Sequence, residues 1–83
     1  MNIHIYKIGD IVQYTQKNKK KMYEYIQEHP GEKQPLGNLR IYSVTWNQKY
    51  NSWEYYYDYD WTSEGSALEN DLVLVRKTYW TYC

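Results

Sequence analysis

The chain has 83 residues, with ten basic and ten acidic side chains, twelve Tyr and four Trp but no Phe. A length of that order predicts one small domain (residues 1–83) with a limited core, and formal neutrality excludes the strongly basic balance of a dedicated nucleic-acid binder. The neutrality hides an asymmetry: residues 1–49 hold eight basic and four acidic groups, about +4, whereas residues 50–83 hold two and six, about −4.

The single cysteine, Cys83, excludes an intramolecular disulfide and points to a reducing, cytoplasmic setting. No apolar run approaches the roughly 20 residues of a membrane span and the N-terminus lacks a signal-peptide core, so no membrane partner is expected. The load of Tyr, Lys, Asn and Ile is what AT-rich coding gives, as in phage genomes.

Gly9-Asp10 punctuates the chain ahead of a β-rich first strand, Ile11-Val12-Gln13-Tyr14, with Ile8 and Val12 sharing a face with Tyr14. Residues 15–38 form a long polar insert holding the basic run Lys17, Asn18, Lys19, Lys20, Lys21 and the breakers Pro30, Gly31, Pro35 and Gly37. Within it Met22, Tyr25, Ile26 and His29 fall at i, i+3, i+4 and i+7, which predicts a short helix over residues 19–28, stopped by His29-Pro30-Gly31, with its apolar side capping the sheet.

Residues 39–46 read as the second strand, with Tyr42, Val44 and Trp46 on one face and Ile41, Ser43 and Thr45 on the other. After a turn, residues 53–61 alternate: Trp53, Tyr55, Tyr57, Tyr59 and Trp61 on one face, Glu54, Tyr56, Asp58 and Asp60 on the other. Residues 39–61 therefore predict a long antiparallel hairpin. The chain turns at Gly65, passes through a short strand or helical turn at 66–71, closes with Leu72-Val73-Leu74-Val75, and has a further β-prone edge segment at 78–82. The fold class is mainly β: a five- to six-stranded antiparallel curled sheet or barrel, core about 8–76, whose long first loop carries a short helix.

The Gly9-Asp10-Ile11-Val12 opening, the long loop, the hairpin and the Leu68-Glu69-Asn70-Asp71-Leu72-Val73-Leu74-Val75 close resemble the small barrels of the Tudor and KOW class. In those families a turn like Gly9-Asp10 precedes the first strand and a short helical turn like 68–71 precedes the last. The resemblance implies an SH3-like binding module with the ligand type open. The 15–38 insert is longer than usual for these families, and neither a KOW-type Gly nor a complete aromatic cage is matched.

Core positions are expected for Ile8, Val12, Leu39, Val44, Leu68, Leu72 and Leu74 with Tyr42, Trp46, Tyr55 and Tyr57 as partners. That leaves Tyr14, Tyr50, Tyr56, Tyr59, Trp61, Tyr79, Trp80 and Tyr82 in surplus. Surplus aromatics mark either cross-strand support or an interface. An aromatic beside carboxylates receives a cation through π and Coulomb attraction together, so Tyr56, Asp58, Tyr59, Asp60 and Trp61 form the candidate protein-binding surface, suited to a methyl-lysine or arginine ligand. The competing reading of Asp58 and Asp60 is solvation and protection of a strand face. The alternative function is a nucleic-acid-binding barrel in which Lys17, Lys19, Lys20 and Lys21 meet phosphates while aromatic rings stack on bases. Homo-oligomerisation through the 78–82 edge is a third reading. No nucleophile motif, phosphate loop or His/Cys pair at metal spacing occurs, so neither catalysis, metal nor cofactor is expected.

Overall fold

A computed structural model describes residues 3–60 and 63–77. Five antiparallel strands, β1 (Ile11–Tyr14), β2 (Leu39–Asn47), β3 (Ser52–Asp58), β4 (Glu64–Leu68) and β5 (Leu72–Arg76), form one sheet in the order β4-β3-β2-β1-β5. The helix α1 (Gln16–Glu28) lies between β1 and β2, and a 3-10 turn (Glu69–Asp71) joins β4 to β5. The two strands at opposite ends of the sheet are thus consecutive in sequence, three residues apart, so the sheet curls until its ends approach at that turn. It remains an open sheet, without a ladder between β4 and β5 among the described residues, and the barrel of the sequence reading is corrected accordingly. Four ladders, each antiparallel, link the five strands. The proposed edge strand at 78–82, with Tyr79, Trp80, Tyr82 and Cys83, lies outside the described residues. No described helix is long and apolar enough to cross a membrane.

The Gly-Asp punctuation has a direct structural cause. Gly9 sits at φ +95°, a left-handed conformation open to glycine, while the Asp10 carboxylate is buried and accepts from the Lys7 amide at 2.9 Å. Asp10 N donates back to the Lys7 carbonyl at 3.0 Å, and Ile41 N donates to the Asp10 carbonyl at 3.0 Å, tying the turn to β2. Ile8, expected in the core, is instead 58% exposed because it occupies the outer corner of this turn.

The second strand changes face halfway. Ile41 pairs with Tyr57 but Ser43 pairs with Tyr56, so Tyr42 is the extra residue of a bulge. Before it Leu39 and Ile41 point inward and are almost fully buried; after it Val44 packs against the core and Tyr42 is 40% exposed. A strictly alternating reading put Tyr42 inside and Ile41 outside, because one inserted residue reverses the parity of every position before it.

The interior is built from Val12, Leu39, Ile41, Leu72 and Ala67 around Tyr55 and Tyr57, whose alternation in β3 is as the sequence predicts. Tyr6, from the segment ahead of β1, completes it: its ring meets Tyr55 edge-on at 5.2 Å and its hydroxyl donates to the Leu72 carbonyl at 2.9 Å. The Tyr55 hydroxyl donates to the Glu69 carboxylate and accepts from the Ile5 and Tyr6 amides at 3.1 and 3.3 Å. Tyr14, expected in surplus, packs against this core, with its hydroxyl 2.8 Å from that of Tyr57 and 3.3 Å from the Ser66 carbonyl. Tyr14 has one proton and gives it to Ser66, so Tyr57 is the donor to Tyr14. The absence of Phe thus has a reason at these positions: each phenol closes a polar contact across the core that a phenyl ring would leave open. Leu74, expected inside, lies on β5 at the sheet margin and is 40% exposed, since among the described residues no strand pairs with that edge.

The helix starts three residues earlier than the apolar spacing predicts, because Thr15 caps it: Thr15 Oγ1 accepts from Asn18 N at 3.4 Å and from Asn18 Nδ2 at 2.9 Å. It ends at His29, whose ring stacks on Tyr25 at 4.1 Å. Among the described residues, its ties to the rest of the fold gather at the first turn: Thr15 N donates to the Asp71 carbonyl, Asn18 Nδ2 to Asp71 Oδ1, and Lys19 Nζ to Gln13. No residue of α1 is buried, so the expectation that its apolar side caps the sheet is corrected: Met22 and Ile26 are half-covered, and Tyr23 and Tyr25 are exposed.

Candidate functional site

The hairpin delivers Asp58 to the end of β3, where the chain leaves the sheet. The turn that follows is closed by Tyr59 N donating to the Ser63 carbonyl at 3.2 Å and by Ser63 N donating to Asp60 Oδ1 at 2.7 Å. The Asp60 carboxylate thus accepts from the amide three residues on, just before the chain enters β4. The β3 pairing consequently stops at Asp58, three residues short of the sequence expectation.

Around this turn lies a cleft of about 460 Å³ lined by Asp58, Tyr59, Asp60, Ser63 and Glu64 on one side and by Ile11, Asn38 and Arg40 on the other. Arg40 is the register partner of Asp58 across β2 and β3, and its Nη2 lies 3.1 Å from Asp58 Oδ2. Glu64 is the register partner of Asp58 on the β4 side, and Glu64 Oε1 accepts from the Tyr42 hydroxyl at 3.2 Å. Loss of hydration, then the hydrogen bond to Glu64, pushes the Tyr42 phenol above its ordinary pKa. With three carboxylates against one guanidinium, the lining carries a formal charge of −2. Lys33, from the segment returning from α1, reaches Asp60 Oδ2 at 3.4 Å while its own side chain is 75% exposed.

Tyr59 forms the apolar wall. It is half-buried rather than surplus, packing against the core with its ring 6.0 Å from that of Tyr57. The cleft thus combines an aromatic face, fixed from behind by the core, with carboxylates that accept hydrogen bonds at its rim. That donor set can bind and orient a cationic group by Coulomb and π attraction.

Of the five residues the sequence singles out, the structure brings Asp58, Tyr59 and Asp60 together. Tyr56 is placed elsewhere, on the outer face of β3 opposite Ser43 and Ser66, its ring 6.5 Å from that of Tyr42. Trp61 lies outside the described residues. Sequence reasoning missed Arg40, Glu64, Asn38 and Ser63. The hairpin register would have flagged Arg40 and Glu64 as cross-strand neighbours of Asp58, had the bulge at Tyr42 and the position of the β3–β4 turn been legible.

Lys19, Lys20 and Lys21 stand on α1 as the predicted helix over 19–28 implies, and the earlier start of the helix brings Lys17 onto it as well. Lys19 Nζ turns back to donate to Gln13 Oε1, whose amide in turn donates to Asn38 Oδ1 at 2.7 Å. Lys17, Lys20 and Lys21 are exposed. Among the described residues no group of three or more His, Cys, Asp or Glu is disposed to hold a metal ion. No protein-family model matches this chain, and comparison with curated proteins and with solved structures gave no match either.

Proposed function

We propose that this chain is a non-enzymatic protein-binding module, an adaptor or modulator, whose cleft at the end of β3 receives an arginine or methyl-lysine side chain of a partner protein. The observation that carries the reading is the convergence of Tyr59 with Asp58, Asp60 and Glu64 in one cleft of about 460 Å³ with a net acidic lining. Strand order supports the likeness to small Tudor and KOW modules: three sequential antiparallel strands and a 3-10 turn before β5, although the insert after β1 is longer than theirs and the sheet is open. Lys33 models the interaction from within the chain, since its ammonium already rests on Asp60 at the rim. An exposed pair of this kind is worth about 0–1 kcal/mol, so an incoming cation displaces it readily.

Calorimetric titration with short peptides carrying arginine or trimethyl-lysine, against the same peptides carrying glutamine, tests the reading. Binding of the cationic peptides, weakened about tenfold by Asp60→Asn or Glu64→Gln and slightly tightened by Lys33→Ala, is the expected result. Equal binding of the glutamine peptides, or indifference to both carboxylate substitutions, overturns it.

A further inference from the structure

The charges of α1 run against its own dipole. A helix is stabilised by acidic groups in its first turn and basic groups in its last. Here the first turn has no acidic residue and the last turn no basic one; Lys17, Lys19, Lys20 and Lys21 crowd the first half, and Glu24 and Glu28 the second. Lys17, Lys20 and Lys21 are also spaced i, i+3 and i+4, which places like charges on adjacent positions of one surface. Burial gives no compensation, because no residue of the helix is buried. Nor does pairing: the hydrogen bonds and ion pairs of the described residues engage Lys19 with Gln13 and leave Lys17, Lys20 and Lys21 projecting from an exposed surface. A local rule broken without an internal compensating contact marks a surface shaped by something outside the chain.

We propose that the exposed face of α1 binds single-stranded nucleic acid, with Lys17, Lys20 and Lys21 contacting phosphates and Tyr23 stacking on a base. Phosphates along this face would remove both the like-charge repulsion and the conflict with the dipole. The groups that take them are the lysine side chains spread over the first two turns. Tyr23 decides in favour of nucleic acid over another polyanion. It is 57% exposed, follows Lys20 by three positions so that both share one side of the helix, and has no ring partner among the described residues. An exposed aromatic ring beside a cation is the pairing that single-strand binders use. Lys19 is excluded from the contact by its bond to Gln13, and Glu24 and Glu28 confine the footprint to the first half of the helix. The site is separate from the cleft at β3 and stands or falls independently of it.

Fluorescence anisotropy of a labelled thymidine ten-mer, titrated with the full chain at several salt concentrations, tests the proposal. Three phosphate contacts predict a slope of log K against log salt of about −2, at about −0.7 per contact for single strands. Lys17→Gln, Lys20→Gln and Lys21→Gln each flatten that slope by about 0.7, whereas Lys19→Gln leaves it unchanged. Tyr23→Ala weakens binding by roughly tenfold. Asp60→Asn, in the cleft, does not weaken it. Lys17→Glu abolishes one contact and yet raises the melting temperature, because it corrects the charge order of the helix, so lost binding is not misread as lost folding. Absence of binding at 100 μM protein in 50 mM salt overturns the proposal, as does a poly-glutamate chain bound as tightly as the oligonucleotide with Tyr23→Ala without effect.

Discussion

Gly65→Ala is the sharpest probe of how this core is held. Gly65 lies in β4 directly opposite Tyr57, and a Cβ built on it comes 2.8 Å from the Tyr57 hydroxyl, 3.1 Å from Cζ and 3.3 Å from Cε1. The ring has nowhere to retreat without loss, since Tyr57 is 4% exposed and its hydroxyl is 2.8 Å from that of Tyr14. Overpacking a filled interior costs about 1–3 kcal/mol. Stretching or breaking the Tyr14–Tyr57 bond adds about 0.5–1.5 kcal/mol, and the lower backbone freedom of alanine in the unfolded chain returns about 0.4–1 kcal/mol. The net loss is about 0.5–4 kcal/mol, which for a domain of this size lowers the melting temperature by roughly 2–30 °C. Urea denaturation followed by intrinsic fluorescence measures it. Tyr57→Phe removes the nearest colliding atom, so the cost of Gly65→Ala should fall by about 1 kcal/mol in that background. A neutral Gly65→Ala, or two substitutions that simply add, would refute the collision and the packing argument with it.

Two further outcomes follow from the buried phenols. Burial first, then hydrogen bonds to Glu69 and Tyr14 respectively, pushes the Tyr55 and Tyr57 pKa values far above the ordinary value of 10.0. A group whose folded pKa is raised contributes stability that is complete below the unfolded pKa and is lost above it, so stability should fall from about pH 10 upward by roughly 1.4 kcal/mol per pH unit for each such tyrosine. Circular dichroism recorded beside tyrosinate absorbance then shows cooperative unfolding on the alkaline side; smooth ionisation of all phenols near pH 10 with the fold intact contradicts it. Tyr55→Phe should cost about 1–3 kcal/mol, because it deletes the acceptor of the Tyr6 amide and the donor to Glu69, and hydrogen exchange at Tyr6 should accelerate while that at Leu39 follows global stability.

The legible part of this protein was the part written in local chemistry. Alternation along 53–58 needs nothing but the pleat of an extended chain, and Gly9 and Asp10 carry their turn in their own conformational and hydrogen-bonding preferences. The helix is legible in its apolar spacing from Met22 onward, whereas its first turn, which carries no apolar residue, rests on the Thr15 cap. Asp58, Tyr59 and Asp60 were chosen for adjacent charge and aromaticity, and the structure gathers them in one cleft.

What tertiary structure alone decided involves residues far apart in the chain. The bulge at Tyr42 is a register shift between β2 and β3, a property of the paired strands that alternation within residues 39–46 does not carry. Tyr6 enters the core because the curled sheet leaves an open end that a short polar-handled ring can close from outside the strands. Arg40 and Glu64 join the cleft through cross-strand register, a property of pairs rather than of single positions. The sequence determined that this chain would be β-rich, aromatic and electrically divided; the folded sheet determined which phenols became structure and which charges stayed exposed.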